Sequence, residues 1–313
     1  MGANTIINDD ASIPVIDLQD FPNQSSKLLA ACEEWGCFRL VNFNEILPKT
    51  LMLEMQAVAR SICELPEEIK RRNIDHEVPE DGYAAPTPKH PLYEAIGMQD
   101  LTSTRGVDLF CSQLDATPQQ RETIRKYAEA LDQVAREIVK KMGESLGAKS
   151  ENLEFENWKC KSRINKYHFT PQSFGSLGGP VHTDSGILTL VHDDEEGVGG
   201  MEAMSPSGDF VPFDPWPGTL SILIADMATV WSNGRFRNVR HRIVSKDGKS
   251  RVSVTSFVTG LAEILEPLPD LVDDHHPRLF LPIDCQGYRK LRYSKNLHDG
   301  EALALLKPDH IQT

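Results

Sequence analysis

No run of about 20 apolar residues, the length a membrane helix needs, occurs in this 313-residue sequence. Nor does its N-terminal stretch join a basic start to an apolar segment, and Ile6 stands where a myristoylation signal after Met1-Gly2 requires Ser or Thr. The default expectation is a cytoplasmic chain without a membrane partner. Positive charge is scarce too: 33 Lys and Arg face 46 Asp and Glu, and the net charge of −13 would repel a phosphate backbone. No nucleic-acid partner is expected, and the densest basic runs, Lys70-Arg71-Arg72 and Lys140-Lys141, read as solvated helix faces. The six cysteines, Cys32, Cys37, Cys63, Cys111, Cys160 and Cys285, form no CxxC pair in a chain large enough not to need staples, so free, buried thiols are expected. Internal repeats, low-complexity tracts and a clear interdomain linker are also missing.

What remains is ordinary globular material, 40% hydrophobic and 25% charged, which puts the chain outside the disordered, collagenous and membrane classes. The first third reads as helical with one early strand, Ile13-Pro14-Val15-Ile16-Asp17-Leu18, followed by helical apolar spacing from Gln24 to Trp35 and from Leu51 to Ile62. Gly36 ends the first of these helices. A long helix is predicted from Pro118 to Leu146, with a capping box in Thr117-Pro118-Gln119-Gln120 and a stop at Gly147. After Trp158 the pattern changes to short β-branched or apolar runs: Arg163 to Phe169, Gly186 to Val191, Thr219 to Ile224, His241 to Val244 and Arg251 to Val258. Their spacing predicts a sandwich or jelly roll. The Gly-rich joints Ser176-Leu177-Gly178-Gly179-Pro180 and Gly197-Val198-Gly199-Gly200 read as turns, because no amphipathic helix follows to make a phosphate cradle. Residues 1–157 are therefore read as a mostly helical support region, and 158–313 as a β core with a C-terminal helix.

A reactive ferrous site needs two imidazoles and one carboxylate on one face of the metal, leaving the other positions open. His182-Thr183-Asp184 can supply two of these, since residues i and i+2 of an extended segment point to the same side. His192-Asp193-Asp194 has the same spelling, and spacing alone does not separate them. Among many candidates for a third ligand, His241 lies in a strand-like run followed ten residues later by Arg251-Val252-Ser253. A dicarboxylate chelating the metal by one end needs its far carboxylate neutralised, and Arg with Ser offers a bidentate fork plus a hydroxyl donor. A buried strand Arg without such a guest is expected to be a costly unpaired charge.

Several stretches together carry a family resemblance: Ile13 to Leu18, Trp35-Gly36-Cys37-Phe38, Arg163-Ile164-Asn165-Lys166-Tyr167, His182 to Leu190, Trp231-Ser232-Asn233-Gly234-Arg235, Val239-Arg240-His241-Arg242 and Arg251-Val252-Ser253. The chain resembles the plant-type 2-oxoglutarate/Fe(II)-dependent dioxygenases. The fold that the resemblance implies is mainly β with α support, a double-stranded β-helix (jelly-roll) core with an N-terminal helical region. It implies Fe(II) ligation by His182, Asp184 and His241, and a grip on the far carboxylate of the co-substrate 2-oxoglutarate by Arg251 and Ser253. Asn165 and Tyr167 match helpers around the co-substrate, and His192 falls past its strand, among acidic residues, as a decoy. Three departures stand out: Val41-Asn42-Phe43-Asn44 in place of Asn-His-Gly, Ala225 in place of the Gly before Asp226, and Gly260 where many members have Pro. Ala225 is expected to reshape the pocket.

Within the family the sequence is similar to the dioxygenases for auxin oxidation in Gly82-Tyr83, Tyr93-Glu94-Ala95, Phe110-Cys111, His276-Pro277-Arg278 and His298-Asp299-Gly300-Glu301-Ala302. The implied reaction consumes O2 and 2-oxoglutarate, releases succinate and CO2, and oxidises a small plant metabolite, with an indole-3-acetic acid type molecule the first candidate. Ascorbate is the expected supporting reductant and a monomer the expected state. The rivals are a hydroxylase or desaturase of another specialised metabolite, a non-catalytic small-molecule binding protein, and a zinc hydrolase, which would leave Arg251 unexplained. Tyr83, Tyr93 and Phe257 are candidates for the substrate wall; His168, His275 and His276 are read as structural or surface residues, and Asn233-Gly234 as a tight turn.

Overall fold

In the computed structural model, which describes residues 12–308 other than 76, 77, 79, 80, 156, 157, 195, 196 and 262, two β-sheets face each other and helices cover the outside of the larger one. Met1, Gly2 and Ile6 lie outside the described residues, as does residue 157 at the expected boundary. In chain order the elements are β1 (Val15–Asp17), α1 (Ser25–Ala30), β2 (Cys37–Val41), α2 (Lys49–Cys63), α3 (Glu67–Lys70), β3 (Tyr93–Met98), α4 (Thr104–Gln113), α5 (Pro118–Ser145) and β4 (Lys159–Tyr167). There follow β5 (Leu177–His182), β6 (Leu188–Asp193), β7 (Met201–Met204), β8 (Phe210–Pro212), β9 (Leu220–Ile224), α6 (Asp226–Trp231), β10 (His241–Val244), β11 (Arg251–Gly260), β12 (Ile264–Leu265), β13 (Ile283–Asp284) and α7 (Cys285–Lys295). The larger sheet has seven strands in the order β1-β2-β9-β6-β11-β4-β3, the smaller four in the order β5-β10-β7-β8. This is the jelly-roll arrangement, mainly β with α support.

Strand alternation divides the large sheet into two chemically different faces. On β11, Val252, Val254 and Val258 join the core beneath α2 and α5, while Arg251, Ser253, Thr255 and Phe257 face the space between the sheets. The apolar stripe of α5, including Ile124, Tyr127, Leu131, Val134, Ile138 and Met142, is buried against that core. Thr117 and Gln120 form the capping box, and Gly147 follows the helix with φ +83°. Gly36 closes the α1 region after a π-helical turn over Ala31–Trp35, at φ +68° and so close to the Arg237 carbonyl that a Cβ would overlap it. All six cysteines are free; burial pushes the Cys37 and Cys63 thiols up to about 12, consistent with packing rather than reactivity.

Four expectations are corrected by these packing relations. The N-terminal region contributes β1, β2 and β3 to the large sheet, where one strand was expected; β2 is buried on both faces and lacks the alternation that marks a half-exposed strand. Leu177 to His182 is a strand and not a turn: β5 is an edge strand, where Pro180 costs no ladder bond, and a side chain at Gly178 would strike the rings of Tyr167 and Phe169. Lys70 is buried, with Nζ 2.5 Å from Glu94, whereas Arg71 and Arg72 make exposed pairs with Glu67 and Asp115. His192 is the penultimate residue of β6 and not past it, because the pairing of β6 with β11 runs through to Asp193 opposite Ser253.

His192 points to the helical side, fully buried, its Nδ1 3.0 Å from the Tyr127 hydroxyl. Burial lowers its pKa to about 3, so the folded protein keeps a neutral ring that the unfolded chain protonates below its ordinary value near 6.5. Stability from this residue is complete above that ordinary value and is lost as the pH falls towards the folded one. Between pH 7.5 and 5.0 the wild type should lose about 2 kcal/mol more than His192→Asn, a neutral acceptor for the Tyr127 hydroxyl. Urea unfolding at both pH values measures the difference, and equal losses would refute the assignment.

Candidate active site

Between the sheets lies a cavity of about 990 Å³ whose wall includes His182, Asp184, His241, Asn165, Tyr167, Arg251 and Ser253. His182 ends β5 and His241 begins β10; the two residues are direct cross-strand partners, with ring centroids 4.2 Å apart. Asp184 follows two residues after His182, and its carboxylate oxygens lie 3.8 Å from His182 Nε2 and 3.9 Å from His241 Nε2. One donor atom from each of the three falls within 4.8 Å of the others. His182 Nδ1 is 2.8 Å from the Pro180 carbonyl and His241 Nδ1 is 3.3 Å from that of Val239, so protons on Nδ1 leave both Nε2 lone pairs for the centre. Burial, then the neighbouring His182, lowers the His241 pKa to about 4, so the ring is a neutral donor at neutral pH. The Thr189 hydroxyl donates to Asp184 Oδ2 at 2.6 Å and fixes the rotation of the carboxylate. Two imidazoles and a carboxylate gathered on one side of an open cavity fit a ferrous ion with free positions.

Register places the other expected residues. Across the antiparallel pair of β11 and β4, Arg251 faces Tyr167 and Ser253 faces Asn165, so all four side chains share the cavity side of the sheet. Asn165 accepts from the Tyr93 hydroxyl and donates to Thr255 Oγ1, both at 2.9 Å, and the Arg251 guanidinium lies 5.4 Å from the centre of the Tyr167 ring. Tyr93 and Phe257 line the cavity; Tyr83 does not, and its hydroxyl donates to Glu94 instead. Ala225 is fully buried at the start of α6 and is not part of the cavity wall, so the pocket change expected from it does not occur by direct contact. His168 is bound to Glu94, His275 and His276 are exposed, and Asn233 and Gly234 have positive φ as a tight turn requires.

A model of the 2OG-Fe(II) oxygenase superfamily matches residues 158–260, and one described as the N-terminal part of a non-haem dioxygenase in morphine synthesis matches residues 13–103. The 2-oxoglutarate-dependent dioxygenase DAO of Oryza sativa subsp. indica is 40% identical over 301 residues, 94% of this chain and 98% of that protein. The chain belongs to the 2OG-Fe(II) oxygenase superfamily. The crystal structure of the rice dioxygenase for auxin oxidation superposes with a TM-score of 0.85 at 39% identity, covering 95% of this chain and 100% of the other. That of dioxygenase for auxin oxidation 1 from Arabidopsis thaliana, in a binary complex with 2-oxoglutarate, gives 0.80 at 44% identity, covering 85% and 100%. This oxygenase is thus a 2-oxoglutarate-dependent Fe(II) dioxygenase.

Two features of the oxygenase site escape motif reading. First, Arg251 is not an unpaired charge: Nη2 donates to Asp193 Oδ1 in a buried ion pair, because Asp193 lies on the neighbouring strand directly opposite Ser253. Second, α7 braces the segment that carries His182 and Asp184. Arg292 Nη2 donates to the Thr183 carbonyl and Nη1 to Asp226 Oδ2, each at 2.8 Å, while Tyr288 and Asn238 donate to the same Asp226 carboxylate. The Asp226 backbone N–H in turn donates to the carbonyl of Asp184. Arg292 stands 109 residues from Thr183 and 66 from Asp226 in sequence, and no local spacing in its terminal helix points to a buried role.

Arg292→Leu should leave the fully buried Asp226 carboxylate without its cation, a loss of about 3–5 kcal/mol, and should weaken metal binding by roughly 10–100-fold through the displaced Thr183 carbonyl. Chelator competition with Mn(II) and thermal unfolding measure the two effects. A stability loss with unchanged metal affinity would reduce Arg292 to a packing residue.

Proposed function

We propose that this oxygenase oxidises an indole-3-acetic acid type molecule, free or amino-acid conjugated, on the indole ring to the 2-oxo product. His182, Asp184 and His241 would hold Fe(II), while Arg251 and Ser253 would hold the far carboxylate of 2-oxoglutarate. The observation that carries the reading of the site is the convergence of the two-imidazole, one-carboxylate donor set and the buried Arg251/Ser253 pair on one cavity. The auxin reading is supported by 40% identity along almost the whole of the rice DAO protein.

Bound Fe(II) supplies the activation of O2 coupled to oxidative decarboxylation of 2-oxoglutarate. The chain supplies the rest. Pro180 and Val239 carbonyls orient the two imidazoles, Thr189 orients the carboxylate, and Arg251 with Ser253 fixes the co-substrate from its distal end. The Tyr93 ring and Phe257 offer an apolar wall that an indole can pack against while excluding water. Ascorbate as supporting reductant, a monomeric state and a cytoplasmic location complete the proposal.

Incubation with auxins, Fe(II), 2-oxoglutarate and ascorbate, followed by mass spectrometry, tests the substrate. The expected product gains one oxygen, with succinate formed in step. No auxin product and no auxin-dependent succinate would overturn the substrate reading and favour a hydroxylase or desaturase of another metabolite. Anaerobic Fe(II) titration tests the site separately: a weak visible charge-transfer band should appear only with 2-oxoglutarate present.

A further inference from the structure

Arg251, on the wall where the co-substrate's far carboxylate must arrive, forms an ion pair with Asp193 behind it, both residues almost wholly inside the protein. The pair is lopsided. Arg251 uses Nη2 on Asp193 Oδ1 and keeps Nη1 3.5 Å from the Ser253 hydroxyl, while Nε has no partner. Asp193 Oδ2 is equally buried and equally without a partner. A second cation stands behind Asp193: Arg39 of β2, held by the Asp214 carbonyl and the Thr219 hydroxyl, lines with Asp193 a separate, water-sized cavity of about 10 Å³. Burial pushes the Asp193 carboxyl above its ordinary range although Arg251 and Arg39 both oppose the shift, which marks a charge the fold compensates incompletely.

We propose that Asp193 is a positioning residue that holds one edge of the Arg251 guanidinium and, as a fixed negative charge beside the docking point, limits how tightly the 2-oxoglutarate carboxylate binds. The inference rests on Arg251 being the co-substrate anchor. The arriving carboxylate would share one guanidinium with Asp193, so signs alternate along Arg39, Asp193, Arg251 and the guest. Asp193 thereby fixes which donors of the fork remain for the guest, and Arg39 sets how strongly Asp193 repels it. The affinity for 2-oxoglutarate becomes a compromise: a preset fork, weakened by a built-in competitor.

Asp193→Asn keeps an oxygen acceptor for Arg251 Nη2 and puts an amide where Oδ2 has no partner, so it removes the charge without breaking a hydrogen bond of the fold. Calorimetric titration of Mn(II)-substituted protein with 2-oxoglutarate should give a Kd lower by about five- to tenfold, with KM for 2-oxoglutarate falling alongside and kcat changing less than about twofold. Arg39→Gln should raise the same Kd by about threefold in the wild-type background and leave it unchanged in the Asp193→Asn background. An unchanged or higher Kd in folded Asp193→Asn overturns the proposal. If that variant does not fold, Arg39→Gln decides, and an unchanged Kd there overturns it. Arg251→Gln separates the two levels: normal 2-oxoglutarate binding in that variant would remove the anchor itself, whereas lost binding with a silent Asp193→Asn would remove only the role of Asp193.

Discussion

Asp184→Ala should abolish turnover, by at least about a thousandfold or ~4 kcal/mol of transition-state stabilisation, and at the same time should remove the stabilisation the protein gains from a divalent metal. The first effect follows from the donor set, because the remaining imidazoles cannot supply the anionic donor of a ferrous site. The second follows from the same loss of the anionic donor. Burial pushes the Asp184 carboxyl up, but the His241 and His182 rings beside it and the Thr189 hydroxyl outweigh that and hold it below the usual carboxylate range, so the charge is one the fold already favours. Mn(II) should raise the melting temperature of the wild type by mass action and should leave the variant unmoved. The fold should survive because the link from the Asp226 N–H to residue 184 uses its backbone carbonyl. A variant that still responded to Mn(II) would contradict the metal-site reading.

The same strand geometry explains which parts of the molecule were legible in the sequence. His182 and Asp184 are readable because two residues apart on an extended segment is a local relation. His241 and Arg251 depend on strand pairing, and only the joint pattern of motifs linked them to the first pair. His192-Asp193 repeats the spelling of a ligand pair, yet alternation along β6 turns His192 to Tyr127 and the helices and turns Asp193 to Arg251. The acidic residues beside the decoy, treated as its surroundings, therefore include the one that touches the site. Arg292 was illegible for a different reason: a charged residue on a polar terminal helix reads as solvated until tertiary packing brings Asp226 and the Thr183 carbonyl to it. Lys70 repeats the lesson, since Glu94 on β3 compensates its burial from a distance that no helical period encodes.

Arg251→Gln should raise KM for 2-oxoglutarate about a hundredfold or more, the 2–5 kcal/mol typical of losing one partner of a buried hydrogen-bonded charge pair. The same substitution leaves Asp193 buried without its cation, so thermal stability should fall as well, by about 3–5 kcal/mol. Two losses together would not distinguish a co-substrate anchor from a structural ion pair, but a double variant does. In Arg251→Leu/Asp193→Leu neither member of the pair is left without the other, Arg39 keeps the Asp214 carbonyl and the Thr219 hydroxyl, and replacing a buried pair by apolar groups is often neutral or stabilising by about 1–4 kcal/mol. If the pair exists for the co-substrate, the double variant should recover wild-type stability or exceed it while 2-oxoglutarate binding stays lost, because no guanidinium remains to meet the far carboxylate. If the pair exists for the fold, the double variant should stay unstable. Denaturant unfolding paired with calorimetric titration of 2-oxoglutarate reads both outcomes on the same protein. Recovery of stability without recovery of binding would show that β6 and β11 hold Arg251 in place for a guest, at no net gain to the sheet that carries it.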